Sequence, residues 1–206
     1  MKNLILIITI LLLSSCVSNT YNIKYLSNNL NNIQAKVLYV IDGDTIKIET
    51  LNDEIVNLND YYSIAPHTTN SVRFLFIDTP ESFDNPRLER MLMKNKKEGK
   101  YIRKDEILAQ GNLAKNHLKK LIKPEDKVIV EFPKKEIEDK YNRYLGLVYI
   151  NNTNINYLQV KDGFASTYFL NDGTTADIKY YKKIFKEAEN SAKKEHLGIW
   201  KYLEEE

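Results

Sequence analysis

Val72-Arg73-Phe74-Leu75-Phe76-Ile77-Asp78-Thr79-Pro80-Glu81 is a run of strand-forming residues that ends in two carboxylates. Strand alternation puts Arg73, Leu75 and Ile77 on one face and Val72, Phe74 and Phe76 on the other. Both faces are apolar apart from Arg73, which suits a strand of a small closed barrel with helices packed outside it. This reading predicts one unbroken strand over residues 72–77. Arg73 in its middle is costly unless it meets an anion, either a ligand phosphate or the chain's own Asp44 or Asp78.

Working outward, residues 36–41 and 46–49 read as strands, the second alternating Ile46 and Ile48 with Lys47 and Glu49. Residues 127–132 and 145–150 bring the strands to five. Helical patterns cover 112–122, stopped by Pro124; 155–162, stopped by Gly163; and 177–194, where Ile178, Tyr181, Phe185, Ala188 and Ala192 form one apolar stripe. The expected class is α+β, mainly a β barrel: a five-stranded OB-type barrel with three helices, a fold that commonly binds oligonucleotides. Residues 51–71 and 82–109 form long connections around the acidic run, of the kind that gates a site or binds substrate, and the second, which carries Arg87 and Arg90, has as its other reading a solvated, partly helical insertion with interleaved charges.

At 206 residues the chain fits one globular domain with extras. Its start differs from the rest: Lys2, an apolar run from Leu4 to Leu13, then Ser14-Ser15-Cys16. That is the pattern of a bacterial secretion signal, with an apolar segment too short to span a bilayer and the cysteine where a lipoprotein is acylated. The expected organisation is a lipoprotein signal peptide over 1–15, a flexible tether over 16–34, rich in Asn and Ser, and one domain over 35–203. Cys16 is the sole cysteine, so no intrachain disulfide forms. The mature protein is expected at the bacterial cell envelope, membrane-anchored through lipid on Cys16 and facing outside the cytoplasm, as a monomer. Net charge is +2, with one of those charges on Lys2, so attraction for an anionic polymer has to be local.

Three runs carry the chemistry: Asp42-Gly43-Asp44-Thr45, then Arg73 through Glu81, then Asp139-Lys140-Tyr141-Asn142-Arg143. Together they supply two acidic metal-ligand candidates, a further carboxylate to act as a base, and two guanidiniums. That set suits metal-assisted cleavage of a phosphodiester. Ester-hydrolase, nucleotide-loop, dinucleotide and zinc-protease motifs are missing from the sequence, and His67, His117 and His196 show no paired zinc spacing.

In this order the runs resemble the staphylococcal (thermonuclease-like) nuclease family, from about Lys36 to Trp200. Gly111-Asn112-Leu113-Ala114-Lys115, Gly163-Phe164-Ala165 and His196-Leu197-Gly198-Ile199-Trp200 add to the likeness. The resemblance implies a Ca2+-dependent hydrolase of both DNA and RNA that leaves 3'-phosphate ends. Carried over by position, Asp44 and Asp78 would ligate Ca2+ with the backbone carbonyl of Thr79, and Glu81 would activate the attacking water. Arg73 and Arg143 would grip the scissile phosphate, with Lys140 and Tyr141 touching the other phosphate of the nucleotide. Asp42 would support the site or fix its turn.

The family favours Gly where Asn142 stands, but Asn also tolerates positive φ. Base-stacking aromatics are expected after Ala165, where Tyr168 and Phe169 are candidates. Phe169 has core closure as its other reading, and Asn171 stands where an aromatic would be expected. The competing reading is a membrane-anchored lipoprotein whose OB-type barrel binds nucleic acid or a protein without cutting. Non-cutting relatives typically lose the acids or arginines, which this chain retains.

Overall fold

A computed structural model describes residues 31–99, 103–133, 136–169 and 176–202. The signal, Cys16, most of the tether and Asn171 lie outside the described residues. Ten strands and four α-helices occur among them: β1 Asn32–Asp42, β2 Thr45–Thr50, β3 Val56–Asn59, β4 Tyr62–Ile64, β5 Thr69–Phe74, β6 Ile77–Asp78, α1 Pro86–Lys97, α2 Lys104–Leu121, β7 Lys127–Glu131, β8 Tyr144–Ile150, β9 Thr153–Asn154, α3 Ile155–Lys161, β10 Ser166–Thr167 and α4 Ala176–Lys194. A 3-10 turn, Gly198–Tyr202, follows.

The main sheet closes on itself. Strand β1 pairs antiparallel with β2 and β7, β2 with β5, and β7 with β8, while β5 and β8 run parallel and complete the ring. This five-stranded ring of mixed pairing, with four helices, fits an OB-like fold. Val37, Ile46, Ile48, Val72, Phe74, Val130 and Leu147 are buried in its core. The stripe on α4 closes one side, where Tyr181, Phe185 and Ala192 are inaccessible and the Tyr181 hydroxyl meets that of Tyr149 at 3.1 Å.

Four expectations need correction. The strand expected over 72–77 ends at Phe74, because Leu75 and Phe76 turn, Phe76 with φ +68°. The cause is Arg73, whose Nη1 donates to the carbonyls of Phe74 and Ile77 at 2.9 Å each, so the chain wraps around the guanidinium rather than continuing the sheet. Ile77 and Asp78 then pair with β10 instead.

Strand β1 begins at Asn32, paired with Glu131, four residues ahead of the strand expected over 36–41. Helix α2 starts at Lys104 rather than 112, since Ile107, Gly111, Ala114 and Leu118 make one buried stripe. Finally, the second long connection contains a whole helix, α1, giving four helices rather than three. The Asn85 side chain caps it by accepting from the Arg87 and Leu88 amides, and Pro86 occupies the first turn. The first long connection folds into the β3–β4 hairpin, which buries Leu58 and Ile64.

Candidate active site

Ring closure brings three connections to one place. The turn between β1 and β2 contributes Asp42 and Asp44, the wrapped end of β5 contributes Arg73, and β6 with the residues after it contributes Asp78, Thr79 and Glu81. The turn is held from behind by Gln159 of α3, fully buried, whose Nε2 donates to the Gly43 carbonyl at 2.6 Å and the Ala114 carbonyl at 3.2 Å.

Asp44 is buried and multiply bonded. Its Oδ2 accepts from the Thr79 amide at 3.1 Å and the Thr79 hydroxyl at 3.0 Å, and its Oδ1 accepts from the Thr45 hydroxyl at 2.9 Å. Thr79 thus reaches Asp44 through its donors. Arg73 Nη2 lies 3.1 Å from Asp44 Oδ2 and 2.5 Å from Asp78 Oδ1, so one cationic nitrogen gathers oxygens of both proposed ligands. This is the pairing with Asp44 and Asp78 that the sequence offered as an alternative to a phosphate.

Two residues that sequence reasoning did not assign to the site complete the cluster. Arg87 of α1 sets Nη2 at 2.8 and 2.7 Å from the Asp78 carboxylate oxygens and Nη1 at 3.0 Å from Glu81 Oε1. Burial opposes the charge on Arg87, but Asp78, then Glu81 and Asp44, raise its pKa further. Asn85 donates from Nδ2 to Glu81 Oε2 at 2.6 Å, so the residue that caps α1 also orients the proposed base. Asn85-Pro86 is a helix-start signal, and it was the available pointer to both residues.

Asp42 accepts from the Gly43 amide at 2.8 Å and is buried; desolvation first, then the Asp44 charge, push its carboxyl up to about 6. Four carboxylates against two guanidiniums leave the cluster with an excess of two negative charges when all are ionised, which favours a divalent cation. The donors are hard oxygens, of the kind calcium or magnesium takes. Among the described residues no group of three or more His, Cys, Asp or Glu side chains stands ready to hold a metal ion by itself. A cation held by Asp44 and Asp78, as the sequence resemblance implies, would take its remaining ligands from water and phosphate.

Arg143 lies apart from these ion pairs. Its Nε and Nη2 donate to Asp139 Oδ2 at 2.8 and 2.6 Å, while Asp139 Oδ1 accepts the Tyr141 and Arg143 amides. Burial would raise the Asp139 carboxyl, but Arg143 and the two amides hold it below its ordinary value. The bonds to Asp139 tie the turn together through Asn142, whose φ of +58° matches the expected tolerance. Two residues on from Arg143, Leu145 pairs in register with Arg73, so the turn sits at the entry to the same ring closure. Tyr141 is exposed, with Lys140 Nζ 5.1 Å and the Arg143 guanidinium 5.5 Å from its ring centre. Phe169 is partly buried against Phe76, centroids 5.5 Å apart, and packs on the core, whereas Tyr168 is exposed.

Comparison with known proteins places this geometry. Residues 71–202 match the family described as staphylococcal nuclease homologue. Endonuclease YhcR of Bacillus subtilis is 30% identical over 162 residues, which is 78% of this chain and 11% of that protein. The SPbeta prophage-derived endonuclease YokF of the same organism is 30% identical over 160 residues, 78% of this chain and 41% of YokF. An uncharacterised protein of Methanocaldococcus jannaschii is 32% identical over 175 residues, 81% of this chain and 71% of its own length. The match thus spans less than half of either endonuclease. The family match covers more than half of this chain, including Arg73, Asp78, Glu81 and Arg143, and the chain belongs to the staphylococcal nuclease homologue family.

Proposed function

We propose that this protein is a Ca2+-dependent nuclease that hydrolyses phosphodiester bonds of both DNA and RNA. The observation that carries the reading is the convergence of Asp44 and Asp78 on one cationic nitrogen, with Glu81 fastened beside them, in a member of this family. The relatives YhcR and YokF, described as endonucleases, lend it further support.

Asp44 and Asp78 hold the cation, with the Thr79 carbonyl as a further donor. Bound Ca2+ supplies a Lewis acid for the phosphoryl oxygen and an acidified water. Glu81 takes the proton of the attacking water at its carboxylate. Asn85 positions that carboxylate through its bond to one oxygen, while Arg87 holds the other. Arg73 balances the two ligand carboxylates, and with Arg143 it absorbs the negative charge that grows on the equatorial phosphate oxygens. Lys140 and Tyr141 at the exposed turn take the neighbouring phosphate. Tyr168 is the candidate left to stack on a base, because Phe169 is committed to packing. The proposed setting is the cell envelope, with lipid on Cys16 as the tether.

The test is digestion of plasmid DNA and of RNA with Ca2+ and with a calcium chelator. The wild type should cut both in Ca2+ and neither in chelator. Glu81→Gln should lose roughly 10^2 to 10^4 in rate while still binding nucleic acid, and Arg143→Ala roughly 10^2. Wild-type binding without cleavage in Ca2+ would establish the non-cutting alternative.

A further inference from the structure

Arg87 has no part in the reaction just described, yet it engages three carboxylate oxygens of the acidic cluster, one more than Arg73 does. Its two terminal nitrogens engage both oxygens of Asp78 and one of Glu81, at 2.7 to 3.0 Å. Asn85 takes the other Glu81 oxygen at 2.6 Å. Both side chains belong to the start of α1, whose next residue, Leu88, is fully buried. Lys104, which opens α2, ties this segment down by bridging Asp84 at 2.7 Å and Glu89 at 2.6 Å. The guanidinium is therefore delivered to the carboxylates by an anchored helix rather than by a free surface side chain.

A carboxylate whose oxygens face a guanidinium offers a divalent cation fewer lone pairs, and the two cations repel at close range. We propose that Arg87 is a built-in counter-cation that competes with the divalent metal for Asp78. In the metal-free protein it keeps mutually repelling carboxylates together. Metal entry releases it and loosens the start of α1. The proposal rests on the reading of Asp44 and Asp78 as the metal pair. By linkage, whatever Arg87 subtracts from metal affinity, the metal subtracts from the grip of Arg87 on the site.

The experiment is calorimetric titration of the full, metal-free chain with Ca2+, without nucleic acid, for wild type, Arg87→Ala and Arg90→Ala. Arg90 stands exposed on the same helix and carries the same charge, so it controls for long-range electrostatics. Arg87→Ala should bind Ca2+ about fivefold tighter or more, and Arg90→Ala less than about twofold. Equal or weaker binding by Arg87→Ala, or an equal gain in Arg90→Ala, overturns the competition and leaves the metal reading standing. Failure of both wild type and Arg87→Ala to take up Ca2+ overturns both. If Arg87→Ala does not fold, hydrogen exchange of the wild type decides the matter. Faster exchange over 86–97 in Ca2+ than in chelator supports release of the helix, and unchanged or slower exchange refutes it.

Discussion

Arg73 is almost wholly buried, and its two terminal nitrogens meet four acceptors: the carbonyls of Phe74 and Ile77, Asp44 and Asp78. Such a group holds its surroundings in one arrangement, and truncating it strands two carboxylates. Glu189 of α4 is another buried charge, bonded to Thr167 of β10, the strand that pairs with Ile77 and Asp78. It is buried and accepts from Thr167 at 2.6 Å, Lys186 at 2.7 Å and Lys193 at 3.0 Å. Burial raises its carboxyl, but these donors outweigh burial and hold it at about 2, below the ordinary 4.5. A depressed carboxylate pKa stabilises the fold at pH above the unfolded value, and that contribution fades as pH falls from about 4.5 to about 2. Glu189→Gln should thus lower stability at pH 7 by on the order of 1–2 kcal/mol, allowing for the exposed lysines. The deficit should vanish near pH 2, as read by urea unfolding across pH.

Helix α2 supports the site by being close. A Cβ on Gly111 would lie 2.1 Å from the Glu81 carbonyl oxygen and 2.3 Å from its carbon, both backbone atoms that cannot swing aside. Alanine normally favours a helix over glycine by about 1 kcal/mol, so the sign of Gly111→Ala depends on which effect wins. At 2.1 Å the clash wins. The substitution should destabilise by about 1–3 kcal/mol and, by shifting Glu81, cut kcat/KM well beyond what unfolding explains. Thermal melts with kinetics on the folded fraction check both. Helix α1 shows the opposite use of an element, adding side chains to the cluster rather than yielding space to it.

At the scale of the molecule, a charge of +2 spread over both signs leaves nucleic acid to be attracted locally, as at the Lys140–Arg143 turn. No helix among the described residues is long and apolar enough to cross a membrane. The attachment proposed from the sequence is lipid on Cys16. With β1 beginning at Asn32, the residues between the anchor and the sheet reach at most roughly 50 Å when extended. Cys16→Ser should block acylation and the processing that follows, and move the protein out of the membrane fraction, while activity per folded molecule stays the same. Fractionation with mass spectrometry reads the first effect and a digestion assay the second. A wild type found free in solution without lipid would refute the tether.

Strand alternation in 46–49, the apolar stripe of α4, the stops at Pro124 and Gly163 and the turn at Asn142 were all legible in the sequence, because each is settled by residues a few positions apart. The acidic and basic runs were legible for the same reason, as local patterns carrying a family likeness. The early end of β5 was not, since Arg73 bends the chain only once Asp44 lies opposite it. Nor were the reach of Arg87 to Asp78 and Glu81, the hold of Gln159 on Gly43, or the burial of Phe169 against Phe76. Those depend on ring closure and on where the start of α1 meets Asp78 and Glu81. Periodicity reports which face of an element is buried, whereas the partner of a buried charge is decided by which distant segment the closed sheet brings beside it.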